Sequence, residues 1–170
     1  TVQRVVQPSV DTVLLSLSGR WLLLSASPTL GRLHLVDKPE GTGEAPPAFC
    51  MLLRKHLLGE PLKSVAHVPG ERVIELRFAD TLALRLYLYG KSAQLQIVEG
   101  ATLLGAIGPA RKPHGDLPAP RPTTADARFS QGASLDADVA ALFASLAAEH
   151  RRTIAQKRVR AAIDKDERLH

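Results

Sequence analysis

The chain has 170 residues, 45% hydrophobic and 4% aromatic, which suits one domain plus an appendage with a core built from Leu and Val. Its 22 Lys and Arg against 17 Asp and Glu leave a surplus of five positive charges, a mild preference for an acidic partner such as RNA. One cysteine, Cys50, excludes a disulfide framework or thiolate metal cluster, and no apolar run approaches the ~20 residues that cross a bilayer. With no signal-peptide pattern at the start, a cytoplasmic chain with no membrane partner is expected.

In chain order, Thr1 to Val6, Thr12 to Ser18 and Trp21 to Ala26 are short β-rich runs. Gly19-Arg20 supplies a two-residue hairpin loop between the second and third. Ser27-Pro28 breaks the third run, and Arg32 to Val36 resumes as a fourth. Asp37 to Ala45 holds two glycines, a proline and three acids, the composition of a solvated loop. Pro46-Pro47 then suits a first helical turn, and Gly59 with Pro61 beyond it suits a stop. Between them Phe49, Leu52, Leu53, His56 and Leu57 recur along one face, which predicts a helix buried against a sheet. Arg54 and Lys55 fall off that face and point to solvent or a partner, while Cys50 beside it reads as a buried, inert thiol.

Leu62 to Val68 reads as a strand and Pro69-Gly70 as a turn. Arg72 to Phe78 then alternates Val73, Glu75 and Arg77 against Ile74, Leu76 and Phe78. Leu82 to Tyr89 alternates again, with Leu82, Leu84, Leu86 and Leu88 inward and Arg85, Tyr87 and Tyr89 outward. Gly90-Lys91-Ser92 turns the chain into Gln94 to Glu99, and Leu103 to Ile107 is a weaker last strand. Eight or nine strands with one helix predict an α+β fold built as an antiparallel β-sandwich over residues 1–108. Residues 109–133 contain five prolines and no periodicity, the mark of a linker. Ser134 can cap a final helix over 134–170, with Asp136 and Asp138 in its first turn. Leu135, Val139, Leu142, Phe143 and Leu146 give that helix an apolar stripe, and Arg151, Arg152, Lys157, Arg158 and Arg160 an exposed basic face beyond it.

Enzymatic groupings are thin. The histidines at 34, 56, 67, 114, 150 and 170 lack metal-ligand spacing, and no Asp/His/Ser set stands out, so no cofactor, metal or catalytic group is expected. His56, on the apolar helix face, reads as structural. Glu71 and Arg72 at the Pro69-Gly70 turn are the better candidates for binding. An arginine can grip a phosphate or a base edge at two points, and an adjacent carboxylate can orient it or accept from a base amine. An ordinary exposed turn pair is the competing reading. Arg54, Lys55 and Lys91 could join Arg72 in one positive surface if the strand ends meet the helix; on their own the helix cations serve solubility equally well.

The fourteen-residue block Pro46-Pro47-Ala48-Phe49-Cys50-Met51-Leu52-Leu53-Arg54-Lys55-His56-Leu57-Leu58-Gly59 resembles the signature of the NFACT amino-terminal domain family. That family is also called fibronectin-binding protein A-like and includes the ribosome-quality-control factors RqcH and NEMF. The likeness extends through Gln7-Pro8, Leu22 to Ala26 and Arg32-Leu33-His34, and downstream to about Val98. The resemblance implies a fold like the amino-terminal domain of formamidopyrimidine-DNA glycosylases. It also implies a non-enzymatic module that contacts transfer RNA on the large ribosomal subunit during rescue of stalled translation. Glu71-Arg72 matches the family's Asp-Arg pair, which faces the anticodon loop, with Glu in place of Asp. The family's Gly-Arg/Lys-His-Ser-Asn loop matches only at Gly90-Lys91, and Tyr87 stands where relatives tend to have glutamate. A coiled coil beginning at the last helix offers self-association. An amphipathic helix precedes Val2 in the family, so the chain reads as a divergent, trimmed member. The family's older label carries the alternative of a protein-binding, adhesin-like module. Glycosylase chemistry would need an amino-terminal proline and a neighbouring glutamate, and neither can be read here.

Overall fold

The computed structural model describes residues 1–37, 39, 45–122 and 135–166, with side chains in the last stretch given for 141–160. The chain divides into two units, Thr1–Arg128 and Phe129–His170. In the first, β1 (Val2–Ser9), β2 (Thr12–Leu17), β3 (Arg20–Ser25) and β4 (Arg32–Val36) form one antiparallel sheet in sequential order. A second sheet holds β5 (Ser64–His67), β6 (Val73–Arg77), β7 (Leu82–Tyr87), β8 (Gln94–Glu99) and β9 (Thr102–Ile107), again in sequential antiparallel order. The period-2 alternation of the sequence appears directly in the core: Val13, Leu15, Leu22 and Leu24 from one sheet meet Leu76, Leu84, Leu86, Leu95 and Ile97 from the other. The expected α+β sandwich is the observed architecture.

The β2–β3 hairpin turns one residue earlier than expected, at Ser18-Gly19 rather than Gly19-Arg20, because Leu17 pairs with Arg20. Both turn residues have positive φ, 48° and 84°, as a tight primed turn requires; Gly19 adopts this without steric cost and Ser18 tolerates it.

Helix α1 (Ala48–Leu57) closes one side of the sandwich by packing on β1 and β9, the edge strand of each sheet. Pro47 sits at its N-cap, and the amide of Met51 donates to the Pro47 carbonyl at 3.1 Å. At the other end Gly59 takes φ 86°. Gly59 then donates to the Val2 carbonyl at 3.0 Å, and Val2 donates to Glu60 at 2.9 Å. Those two bonds tie the helix end to the start of β1. Phe49, Cys50, Leu53 and Leu57 are buried, and Leu52 packs against the same core. Gly105 in β9 lets the helix approach, since a Cβ there would press into the Leu52 side chain. Burial pushes the Cys50 thiol up, which keeps it protonated and inert.

Arg54 does not point to solvent as the helical wheel suggests. Its Nε and Nη2 both donate to the Val5 carbonyl, at 3.1 and 3.0 Å, satisfying a backbone acceptor of the edge strand β1. Lys55 is exposed.

The second unit contains α2 (Leu135–Asp166). Leu142 and Leu146 of the expected stripe are exposed, as are Arg151, Arg152, Lys157, Arg158 and Arg160. The Ser134 cap, residues 123–133 of the expected linker and most of the Asp37–Ala45 loop lie outside the described residues, as do the side chains of Leu135, Asp136, Asp138 and Val139.

Candidate nucleic-acid interface

The turn from β5 into β6 is built from Val68, Pro69, Gly70 and Glu71, with the Glu71 amide donating to the Val68 carbonyl at 3.0 Å. Pro69 fixes the second position and Gly70 takes φ 73° at the third, the pattern of a type II turn. The Arg121 amide donates to the Pro69 carbonyl at 2.8 Å, and a Cβ on Gly70 would run into the Arg121 backbone. Two demands therefore fix glycine at position 70.

Glu71 is gripped from two sides. The Tyr89 hydroxyl donates to its Oε2 at 2.8 Å, and Arg121 Nε lies 2.8 Å from its Oε1. Desolvation and this bond to Glu71 push the Tyr89 hydroxyl up to about 12. Its raised value means the bond's contribution is complete below the ordinary tyrosine range near 10 and is lost as pH climbs through about 12. Of the two roles open to this carboxylate, orienting Arg72 or accepting from a base amine, no bond to Arg72 is present among the described residues; Tyr89 and Arg121 hold it instead. Arg72 is anchored through its backbone, whose carbonyl accepts from Leu88 at 2.8 Å. Its side chain is exposed and makes no ion pair among the described residues.

Lys91 sits on the short turn Gly90–Ser92 that follows β7. Because Val73 pairs with Tyr87, this turn and the Glu71-Arg72 turn share one end of the five-stranded sheet. Arg54 and Lys55 belong to α1, which packs on β1 and β9, and the Arg54 guanidinium is bonded to the Val5 carbonyl of β1.

Contacts continue past residue 108 onto the outer face of the same sheet. The ring of His114 stacks on Tyr87 at 4.3 Å and meets Tyr89 edge-on at 5.5 Å. The His114 amide donates to Gln94 Oε1 at 3.1 Å, Gln96 Nε2 donates to the His114 carbonyl at 3.0 Å, and the Tyr87 hydroxyl donates to Gly115 at 3.2 Å. Tyr87 therefore leaves the sandwich core, as its register requires, and is still only 1% exposed because residues 113–116 cover it. Beside it Glu75 is buried between Arg77 and Arg85, at 2.7 and 2.9 Å. Burial likewise raises the Tyr87 hydroxyl. None of Tyr89, His114 or Arg121 stands out in the sequence, since their partners lie far away in the chain. Among the described residues no group of three or more His, Cys, Asp or Glu is placed to hold a metal, and no helix is long and apolar enough to cross a membrane.

Residues 1–91 match the family described as NFACT N-terminal and middle domains. The chain is 32% identical over 79 residues to the Rqc2 homolog RqcH of Streptococcus pneumoniae serotype 2 (strain D39 / NCTC 7466), a match covering 44% of this chain and 14% of that protein. Against the Rqc2 homolog RqcH of Bacillus subtilis (strain 168) it is 38% identical over 53 residues, 31% of this chain and 9% of the relative. The chain thus spans a small part of the curated relatives it matches. Among solved structures, the N-terminal part of the fibronectin/fibrinogen-binding protein from Streptococcus suis superposes with a TM-score of 0.60 at 20% identity, over 75% of this chain and 55% of that one. The N-terminal domain of fibronectin-binding protein PavA from Streptococcus pneumoniae gives 0.58 at 20% identity, over 91% and 75%. With more than half its length matched to the family and the fold of its domains reproduced, the chain belongs to the NFACT N-terminal domain family.

Proposed function

We propose that this chain is an RNA-facing module of a ribosome-associated quality control factor, contacting transfer RNA on the large ribosomal subunit during rescue of stalled translation. The observation that carries this reading is Arg72. It stands exposed beside a braced turn, in which the Pro69 carbonyl accepts from Arg121 and Glu71 is held by Tyr89 and Arg121. A cation held on a rigid turn, with its neighbouring carboxylate already occupied, offers its guanidinium to a phosphate or base edge at little ordering cost. In this reading the ribosome forms the peptide bond and the chain supplies binding alone, in the cytoplasm. Recovery from lysate on an immobilised whole chain checks it: transfer RNA and large-subunit proteins are the expected catch. Fibronectin or fibrinogen retained instead, with no RNA, would favour the second reading, a protein-binding module, which the names of the structural neighbours suggest.

Self-association through α2 belongs to the same proposal, because Leu142 and Leu146 of its apolar stripe, four residues apart on one face, are exposed. Sedimentation should show a species larger than one chain that Leu142→Glu with Leu146→Glu returns to monomer. A wild-type chain monomeric throughout would remove this part.

A further inference from the structure

A surface cleft of about 520 Å³ opens where the Gly90–Ser92 turn meets the segment after β9. Lys91, Ser92, Arg111, Lys112 and His114 line it with three small apolar residues, and among the described residues no acidic side chain lines it. We propose that this cleft is a second RNA-contact site, taking backbone phosphates of a strand that also passes Arg72; the inference rests on the RNA-facing reading above and extends it to Arg111, Lys112 and His114.

The cleft is braced. Ala110 donates to the Ala93 carbonyl at 3.3 Å, and the segment is held again at His114 and Gly115 by Gln94, Gln96 and Tyr87. His114 Nε2 lies 2.6 Å from the Ser92 carbonyl, which can only accept, so this nitrogen carries the proton and locks the ring across the cleft floor. Lys91, Arg111 and Lys112 are exposed, and none makes an ion pair among the described residues. Three exposed cations on one concavity give it a positive potential that a polyanion's phosphates complement.

Phosphate groups are the ligand chemistry, and the placement favours a polynucleotide over a small free anion as their source. Tyr89 connects the two places physically: its hydroxyl bonds to Glu71 beside Arg72, and its ring meets His114 in the cleft. A strand leaving Arg72 therefore meets Lys91 and Arg111 along the same sheet end.

The test uses the whole chain, a fluorescein-labelled single-stranded RNA titrated at several salt concentrations, and inorganic pyrophosphate as the small-anion arm. Arg111→Ala with Lys112→Ala should weaken RNA about tenfold and flatten the salt dependence by roughly 1.4 in slope, two phosphates' worth. Both side chains are exposed, so the melting temperature should hold; exchanging the two (Arg111→Lys with Lys112→Arg) should restore binding. Pyrophosphate should compete only weakly. RNA affinity lost with Arg72→Ala but untouched by the cleft pair would overturn the cleft and leave the proposed function standing. The reverse pattern would support the cleft and count against the Arg72 turn. Tight pyrophosphate binding with no RNA binding would overturn the polynucleotide source.

Discussion

Leu53→Ala should destabilise the first unit by about 2–5 kcal/mol, and Leu57→Ala by a similar amount, the usual range for deleting a fully buried leucine side chain. Both leucines are completely shielded from solvent, on the face of α1 that meets the edge strands of the two sheets. A cavity there would sit where neither sheet can collapse to fill it, because the Gly59–Val2 and Val2–Glu60 bonds and the Arg54 contact to Val5 hold the helix in place. Lys55→Ala on the exposed face should stay within about 0.5 kcal/mol of wild type. Denaturant midpoints for the two leucine variants equal to that of wild type would contradict this packing.

Much of the fold could be read from the chain because turn residues bound its β-rich runs and α1 obeys a single period. Two-residue alternation marked Arg72–Phe78 and Leu82–Tyr89, β-rich runs between turn residues marked the other strands, and a 3.6-residue repeat between Pro47 and Gly59 placed the helix with its buried face. The misreadings occur where a side chain's fate depends on a distant partner. Arg54 lies off the apolar stripe by any helical wheel, yet an unpaired carbonyl of β1 draws its guanidinium back. Tyr87 has the register of a solvated residue and is buried because residues 113–116 fold over it.

The candidate site was legible as a turn and no further. Pro69-Gly70 announced a tip carrying Glu71 and Arg72, since proline and positive-φ glycine are local signals. The grip of Tyr89 and Arg121 on Glu71 has no local signal at all. Arg121 lies in a proline-rich, aperiodic stretch, where composition speaks for a linker and says nothing about a specific ion pair. The same holds for His114, which hydrogen bonds to Gln94, Gln96 and Ser92 position, and with it for the exposed Arg111 and Lys112 just before it in the chain; such contacts leave no repeat to read.

Arg72→Ala tests the central claim most directly. The variant removes an exposed guanidinium and leaves the backbone bond from Leu88 and the brace on Glu71 in place, so the melting temperature should not move. Loss of one charge-assisted contact removes about 1.5–3 kcal/mol, roughly ten- to a hundredfold in affinity. If the contact is to a phosphate, the slope of affinity against salt should also fall by about one. Glu71→Asp keeps the charge but shortens the reach to Tyr89 and Arg121, so its effect on binding reports how far the brace matters. The measurement is anisotropy of labelled transfer RNA titrated with wild type and Arg72→Ala at several salt concentrations. A ten- to hundredfold loss at constant melting temperature is the predicted result. Equal affinity for the two proteins would contradict the claim that this turn faces RNA.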